Sequence, residues 1–469
     1  MTDDASEGDE GIPELDPNGQ LFSLLGAPDR DRCPGARPVV AVDEDDDQAY
    51  IDEVQSLCVA APRLVRRGAF HGNWAELHDS LAFVPRDPLA TLAQRFEDAR
   101  PIVLHDALPD DALDAALGPS STDTWYDALR EEGGLDELLE ARAFVLGPEF
   151  RSTGARTPAV PDERDIASTG IAWRAPSGRP TRGPSEVDDF WVKTQRLSTH
   201  EDDASVRVRL SFGREVEDDA SRDRARHGLV SELAARLFPE AAAIQADSEI
   251  PGLIGDWIGG RPLFTQAIAY WNAPGGGALF HHDAFDEPAR GSQRGVLYAQ
   301  LTGSTAWIAL SIEDLHARVT EFLELMADGT FPWLVEGRFG GGGGVEDLLD
   351  LARDRGRALA ELAKPGSGAL GPVVDQGPEF TSLLAIAGHA YVLGPGDVIV
   401  LPNHGLERTC MHSVFCADEE VAFSLSLAIR DGSSPAGGGH GRRGGGRRGR
   451  GRRRGGRGRG PGSSRRRRR

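Results

Sequence analysis

The sequence predicts a mainly β domain with α decoration, a barrel or sandwich, and three observations carry that expectation. The second half of the chain holds about seven short apolar or alternating segments: LFTQAIAYW, ALFHHD, VLYAQL, TAWIALS, HAYVL, VIVLP and VAFSLSLAI. Most are punctuated by Gly, Pro or Asp turns, the pattern of a closed or two-layered antiparallel fold. The series is interrupted once, from about 313 to 379, by amphipathic spacing such as Ile312, Leu315, Val319 and Phe322, which predicts a helical insert with two amphipathic helices. Apolar residues make up 39% of 469, enough for a sizeable core.

Taken in order, residues 1–35 are rich in Asp, Glu, Pro and Gly without periodicity and are expected to be disordered. Residues 36–94 read as an α/β extension, with PVVAV as a strand and Gln48 to Cys58 as a helix. RPIVLHDALPDDALDAAL predicts a strand, a turn at Pro109 and a short helix. Residues 151–188, with many Pro, Arg and Gly, read as loop. VRVRLSF (206–212) alternates as a strand, and LVSELAARLF (229–238) has helical spacing. The five glycines at 340–344 are followed by Val345-Glu346-Asp347 rather than the Lys-Ser/Thr of a phosphate loop, so a flexible hinge is expected.

Composition narrows the setting. The acidic start MTDDASEGDE has no basic or apolar leader region, and no apolar run is long enough for a membrane span. Four cysteines in so long a chain do not make a disulfide framework, so a cytoplasmic location is expected. The net charge of −22 hides an asymmetry: residues 434–469 hold 15 Arg and no acid, and without them the rest of the chain carries −37.

The candidate chemistry lies at Gly275-Gly-Gly-Ala-Leu-Phe-His281-His282-Asp283. On a strand, side chains at i and i+2 leave the same face, so His281 and Asp283 converge on one point. One more imidazole from a distant strand completes a 2-His-1-carboxylate site with open coordination positions, the arrangement of non-haem Fe(II) oxygenases. That imidazole is expected from His412, which follows the strand-turn-strand YVLGPGDVIVLP at 391–402. His404 is its rival. His282 should point away from the metal and pack. Cys410 and Cys416 flank His412 without a second Cys or His pair nearby, which disfavours a zinc site.

These motifs resemble the Jumonji-C/cupin-like family of Fe(II)- and 2-oxoglutarate-dependent oxygenases, especially its small protein-hydroxylase members. The family follows its His-x-Asp with a strand of the type F-A-Q-I-x-G-x-Lys, and this chain has Tyr298-Ala-Gln-Leu-Thr-Gly303-Ser-Thr305. Its turn V-x-G-P-G-D-V-x-x-x-P matches Val392 to Pro402, and its distal His, often followed by x-Val, matches His412-Ser413-Val414. RPIVLHDAL is similar to the strand that leads into the family's barrel. The resemblance spans about 95–430 and is strongest at 270–310 and 390–430. It implies a double-stranded β-helix (a cupin or jelly-roll barrel), metal ligands His281, Asp283 and His412, Fe(II) with 2-oxoglutarate, and hydroxylation of a side chain in a protein substrate.

The chain departs from the family where the co-substrate would sit. Thr305 replaces a basic residue, Ala278 a hydroxyl-bearing one and Ser426 an amide-bearing one. Replacement anchors are expected from Arg430, whose parity in the Ser-Leu-Ser-Leu alternation aims it inward with Ser424 and Ser426, and from Arg294. Tyr298 and Gln300 share a strand face and read either as polar contacts or as core. The Arg/Gly tail 434–469 cannot bury a core; it is expected to be disordered and to contact RNA or the ribosome through phosphates and bases.

Overall fold

The computed structural model describes residues 88–432 apart from short internal segments at 105–106, 118–121, 132, 157–163, 177–184, 198–202, 213–223, 248, 275, 285–292, 375–378, 388 and 417–419. The acidic N-terminus, most of the expected 36–94 extension and the Arg/Gly tail lie outside the described residues.

Two antiparallel sheets carry the fold. One has nine strands in the order β1-β11-β8-β13-β6-β5-β4-β3-β2, the other four in the order β10-β9-β12-β7. Their strands are β1 (Ile102–Leu104), β2 (Phe150–Arg156), β3 (Asp165–Arg174), β4 (Glu186–Arg196), β5 (Val206–Phe212), β6 (Pro262–Asn272) and β7 (Gly277–His281). β8 (Gln293–Thr302), β9 (Thr305–Ser311), β10 (Ala390–Leu393), β11 (Val398–Pro402), β12 (Cys410–Cys416) and β13 (Ala422–Asp431) follow. The segments expected as strands in the second half all form strands, and VRVRLSF is β5.

Alternation sorts the strand residues into layers. On the outer face of the large sheet, Leu297, Ala299, Leu425 and Leu427 pack with residues of the first helices, among them α1 (Pro88–Glu97), α2 (Asp110–Ala116), α3 (Thr122–Leu129) and α4 (Gly134–Leu146). Three more helices join that layer: α5 (Arg224–Leu237), α6 (Pro239–Ala246) and α7 (Glu249–Ile258). Between the sheets lie Val103, Tyr298, Trp307, Tyr391, Ile399 and Leu401. The outer face of the small sheet packs Ile308, Leu310 and Met411 on the insert. Strands covered on both faces read as continuous apolar runs, which is why VIVLP shows no alternation.

The insert is more elaborate than two helices. It comprises α8 (Ile312–Ala327), α9 (Pro332–Arg338), α10 (Gly342–Arg353), α11 (Arg355–Leu362), a 3-10 turn at Pro365–Leu370, α12 (Gly371–Val374) and α13 (Glu379–Ile386). α8 starts where Ser311 caps it: the hydroxyl accepts from the Asp314 amide at 3.0 Å and donates to the Asp314 carboxylate at 2.8 Å. Asp314 in turn takes both arms of Arg100, each at 3.0 Å, tying the insert to the segment before β1.

Two expectations are corrected. The glycine run is no open hinge: Gly340 and Gly341 make a positive-φ turn and Gly342 opens α10. Residues 151–188 are not mainly loop, because β2, β3 and the start of β4 pair there. These are successive strands of one antiparallel run, and the Pro-, Arg- and Gly-rich stretches between them dominate the local composition and conceal the ladder.

Candidate metal centre

His281 closes β7, Asp283 lies just past it, and His412 is in the middle of β12. The pairing of β12 with β7 sets His412 directly opposite His281, with a register shift between His412 and Val414. The two imidazoles stand 4.2 Å apart between ring centres, and His412 Nε2 is 3.7 Å from an Asp283 oxygen. One ligand atom from each of the three residues lies within 4.8 Å of the other two. Gly277 makes this approach possible. A Cβ there would come within 2.0 Å of the Val414 carbonyl oxygen and 2.7 Å of the Phe415 backbone.

Local contacts prepare the donors. His281 Nδ1 sits 2.7 Å from the Leu279 carbonyl oxygen. An N–H on Nδ1 donates to that oxygen and leaves the Nε2 lone pair for a metal, the usual outer hydrogen bond of a ligating histidine. His412 is buried, and its pKa is displaced downward to about 3, first by burial and then by the neighbouring His281, against the opposing pull of Asp283. A neutral imidazole is the form that ligates. Asp283 is more open, its side chain 40% exposed against 5% for His412.

The rival residues fall elsewhere. His404 Nε2 bonds the Phe96 carbonyl at 2.7 Å, with its ring edge-on to Phe96. His282 is held at both nitrogens, Nε2 by the Ala363 carbonyl at 2.9 Å and Nδ1 by the Ala284 amide at 3.1 Å, so it fastens the metal strand to the insert. Cys410 and Cys416 are buried thiols outside any disulfide and outside the cluster, and burial pushes the Cys410 thiol upward.

The triad lines a cavity of about 570 Å³. Trp307, Val296 and Leu401 give it apolar wall, and Tyr270, Asn272, Tyr298 and Ser426 give it polar wall. Tyr298 is both core and cavity residue. Its hydroxyl takes a hydrogen bond from Asn272 at 3.1 Å and one from Ser424, and its ring meets Trp307 edge-on. Burial raises its pKa despite those donors, which keeps it a phenol.

The expected carboxylate anchors are not brought to this wall. Thr305 is fully buried; its hydroxyl donates to Gln300 and accepts from the Trp307 indole, each at 2.8 Å. Gln300 is likewise used inside the sheet, bonding the Thr302 carbonyl at 2.8 Å. Arg430 is buried beyond the register shift in β13, its Nε donating to Thr265 at 3.0 Å. Arg294 precedes the Gly295 twist of β8, and neither arginine lines the cavity. Ser426 does, opposite Tyr298, as does Ala278. Among the described lining residues the cations are Arg164 and Arg207, which the sequence alone did not single out. The signal for Arg207 was its place in the alternation of VRVRLSF, which predicts a strand without showing which of its faces is enclosed.

No family model matches the chain, and no curated protein matches it. Among solved structures it is similar to AviO1 from Streptomyces viridochromogenes Tue57, with 12% identity, 75% of this chain and 98% of that chain covered, and a TM-score of 0.29. It is also similar to an oxidoreductase of the 2OG-Fe(II) oxygenase family from Burkholderia pseudomallei, with 9% identity, 74% and 92% covered, and a TM-score of 0.24. Similarity that slight leaves the chemistry to the side chains themselves.

Proposed function

We propose that this chain is an Fe(II)-dependent oxygenase that uses 2-oxoglutarate to hydroxylate a side chain of a protein. The observation that carries the reading is the convergence of one carboxylate and two imidazoles within 4.8 Å on the wall of a 570 Å³ cavity. A 2-His-1-carboxylate set leaves adjacent coordination positions open, which suits Fe(II) better than a closed structural site. The strand orders support reading the barrel as a double-stranded β-helix: β6-β13-β8-β11 faces β7-β12-β9-β10, so successive strands alternate between the sheets except β9 and β10, which are neighbours in the small one.

In this reading His281, Asp283 and His412 hold the metal, with the Leu279 carbonyl fixing the His281 tautomer. Bound iron and 2-oxoglutarate supply the oxidising chemistry. The chain's own part is to orient and to exclude water: Trp307, Val296 and Leu401 keep one wall dry, and neutral Tyr298 and Asn272 offer hydrogen bonds without adding charge.

A second reading, a metal-binding cupin-like protein without oxygenase activity, is favoured by Thr305, which stands in place of a basic residue and is spent on Gln300 and Trp307 away from the cavity wall. The two part on turnover. Fe(II)-loaded protein incubated with 2-oxoglutarate and O₂ is expected to release succinate and CO₂, with Asp283→Ala silent. Stoichiometric Fe(II) binding without succinate above the Asp283→Ala background would favour the second reading.

A further inference from the structure

Exposure locates the mouth of the metal cavity. Outside the triad, the exposed residues among its described lining are Leu279 of β7, 40% exposed, and Gly366 of the insert. The inner wall, with Trp307, Tyr298 and Ser426, is buried. A path from solvent to the three ligands therefore passes the outer edge of the small sheet, where β7 lies, and the 3-10 turn that packs against β7.

That turn is held in a strained conformation. Gly366, Ser367 and Gly368 all have positive φ, at 62°, 55° and 53°. Ser367 carries most of the strain, because a left-handed backbone crowds its Cβ. It is also buried, and its hydroxyl has no hydrogen-bond partner among the described residues. Contacts on both sides keep the turn in place all the same. The Ser367 amide donates to the Lys364 carbonyl at 2.9 Å. The Glu361 carboxylate accepts from the Ala369 amide at 3.0 Å and from the Lys364 ammonium at 2.5 Å. Leu362 and Leu370, which flank the turn, are fully buried in the core of the insert. Strain maintained by so many contacts marks a position that the fold preserves, and such positions gather at functional sites.

What the turn presents at the mouth is an α-carbon without a side chain. A Cβ on Gly366 would have no atom within 4 Å, so the space that a side chain would take is open. From this we infer that Gly366 is a specificity-determining residue: with Leu279 it frames the entrance to the cavity, and its missing side chain sets the width of the group that reaches the metal. That this group is the substrate of an iron oxygenase rests on the reading above; the entrance itself does not. Neither Gly366 nor Leu279 carries a charge, so the pair selects by shape.

Access to a thiol on the inner wall tests this without metal. Ser426→Cys is a nearly isosteric change at a cavity residue, and alkylation at position 426 is followed by mass spectrometry. In that background Gly366→Asn adds a side chain that tolerates positive φ, and Leu279→Trp enlarges the other lip. Each is expected to slow N-phenylmaleimide at least roughly tenfold, while the smaller iodoacetamide keeps its rate. Unchanged rates in either variant would overturn the inference, because that lip would then not border the path of entry. Equal slowing of both reagents would overturn it too, since a disturbed fold rather than a narrowed mouth acts on the two alike. So would a parent in which neither reagent reaches the introduced thiol. Should Gly366→Asn fail to fold, Gly366→Ala decides: slowing confined to N-phenylmaleimide supports the role of Gly366, and unchanged rates overturn it. Mn(II) stoichiometry is measured alongside. Its absence from the wild type would count against the oxygenase reading alone, and the thiol rates would still judge Gly366.

Discussion

The small sheet builds its half of the cavity from close neighbours, His281 and Asp283 two residues apart with His412 facing them across a single strand pair. The large sheet builds its half from β5, β6, β8, β11 and β13, joined only by ladder register. The metal half therefore depends on the exact approach of two strands, and the wall half on the alignment of five. A change in the first should act on metal affinity, and a change in the second on what binds beside the metal.

The sharpest way to break this division is at the ligands. Asp283→Ala and His412→Ala are each expected to abolish stoichiometric Fe(II) or Mn(II) binding while the fold survives, and His404→Ala to leave it intact. Equilibrium dialysis with metal analysis reads this directly. Loss of binding in His404→Ala with retention in His412→Ala would move the site toward α1.

The tail tests whether either half extends beyond the cavity. Its 15 Arg predict RNA affinity that falls steeply with salt, so deleting residues 434–469 should remove RNA binding in low-salt filter assays and leave metal stoichiometry unchanged. Full-length protein without RNA affinity at low salt would contradict this.

Gly277→Ala probes the small sheet without touching a ligand. The added methyl would meet the Val414 carbonyl at 2.0 Å, so β7 must move away from β12. Metal affinity is expected to fall roughly tenfold or more, since ligand atoms about 1 Å out of place lose their shared point. Unchanged affinity would mean that the strand pair is more pliant than its close approach implies.

A smaller effect lies at the edge of the small sheet. Burial displaces His389 downward to about 4, against the pull of Asp314 and with Arg318, Arg95 and Arg100 opposing protonation. Burial alone would raise Asp314; Arg100, His389 and the Ser311 hydroxyl together hold it below the usual carboxylate range. A histidine with a depressed folded pKa lends stability above its unfolded value near 6.5, and that stability is lost as pH falls toward the folded value. Between pH 7 and 5, wild type should lose about 1–2 kcal/mol more than His389→Leu in urea unfolding. Parallel losses would exclude His389 as the titrating group.

The same contrast explains what the sequence could disclose. His281 and Asp283 were legible because a two-residue spacing is a strand-face statement in itself, and His412 because a recognisable turn precedes its strand. The strands of the second half were legible from punctuation. β2 and β3 were not, since the Pro-, Arg- and Gly-rich stretches between these successive strands dominate the composition of the segment. Parity aimed Arg430 inward, yet parity does not show how deep a residue lies, and beyond the register shift Arg430 is bonded to Thr265. Arg207 was overlooked for the converse reason: alternating arginines on a strand resemble a solvent face until the neighbouring strand shows which face is enclosed.

The most direct test of the account is an anaerobic Fe(II) titration of the full chain, followed by 2-oxoglutarate, with visible absorption recorded throughout. The account predicts one Fe(II) per chain and a metal-to-ligand charge-transfer band that appears only when both are present and is absent from Asp283→Ala. Fe(II) that fails to bind stoichiometrically, or binds without any band on adding 2-oxoglutarate, would contradict it.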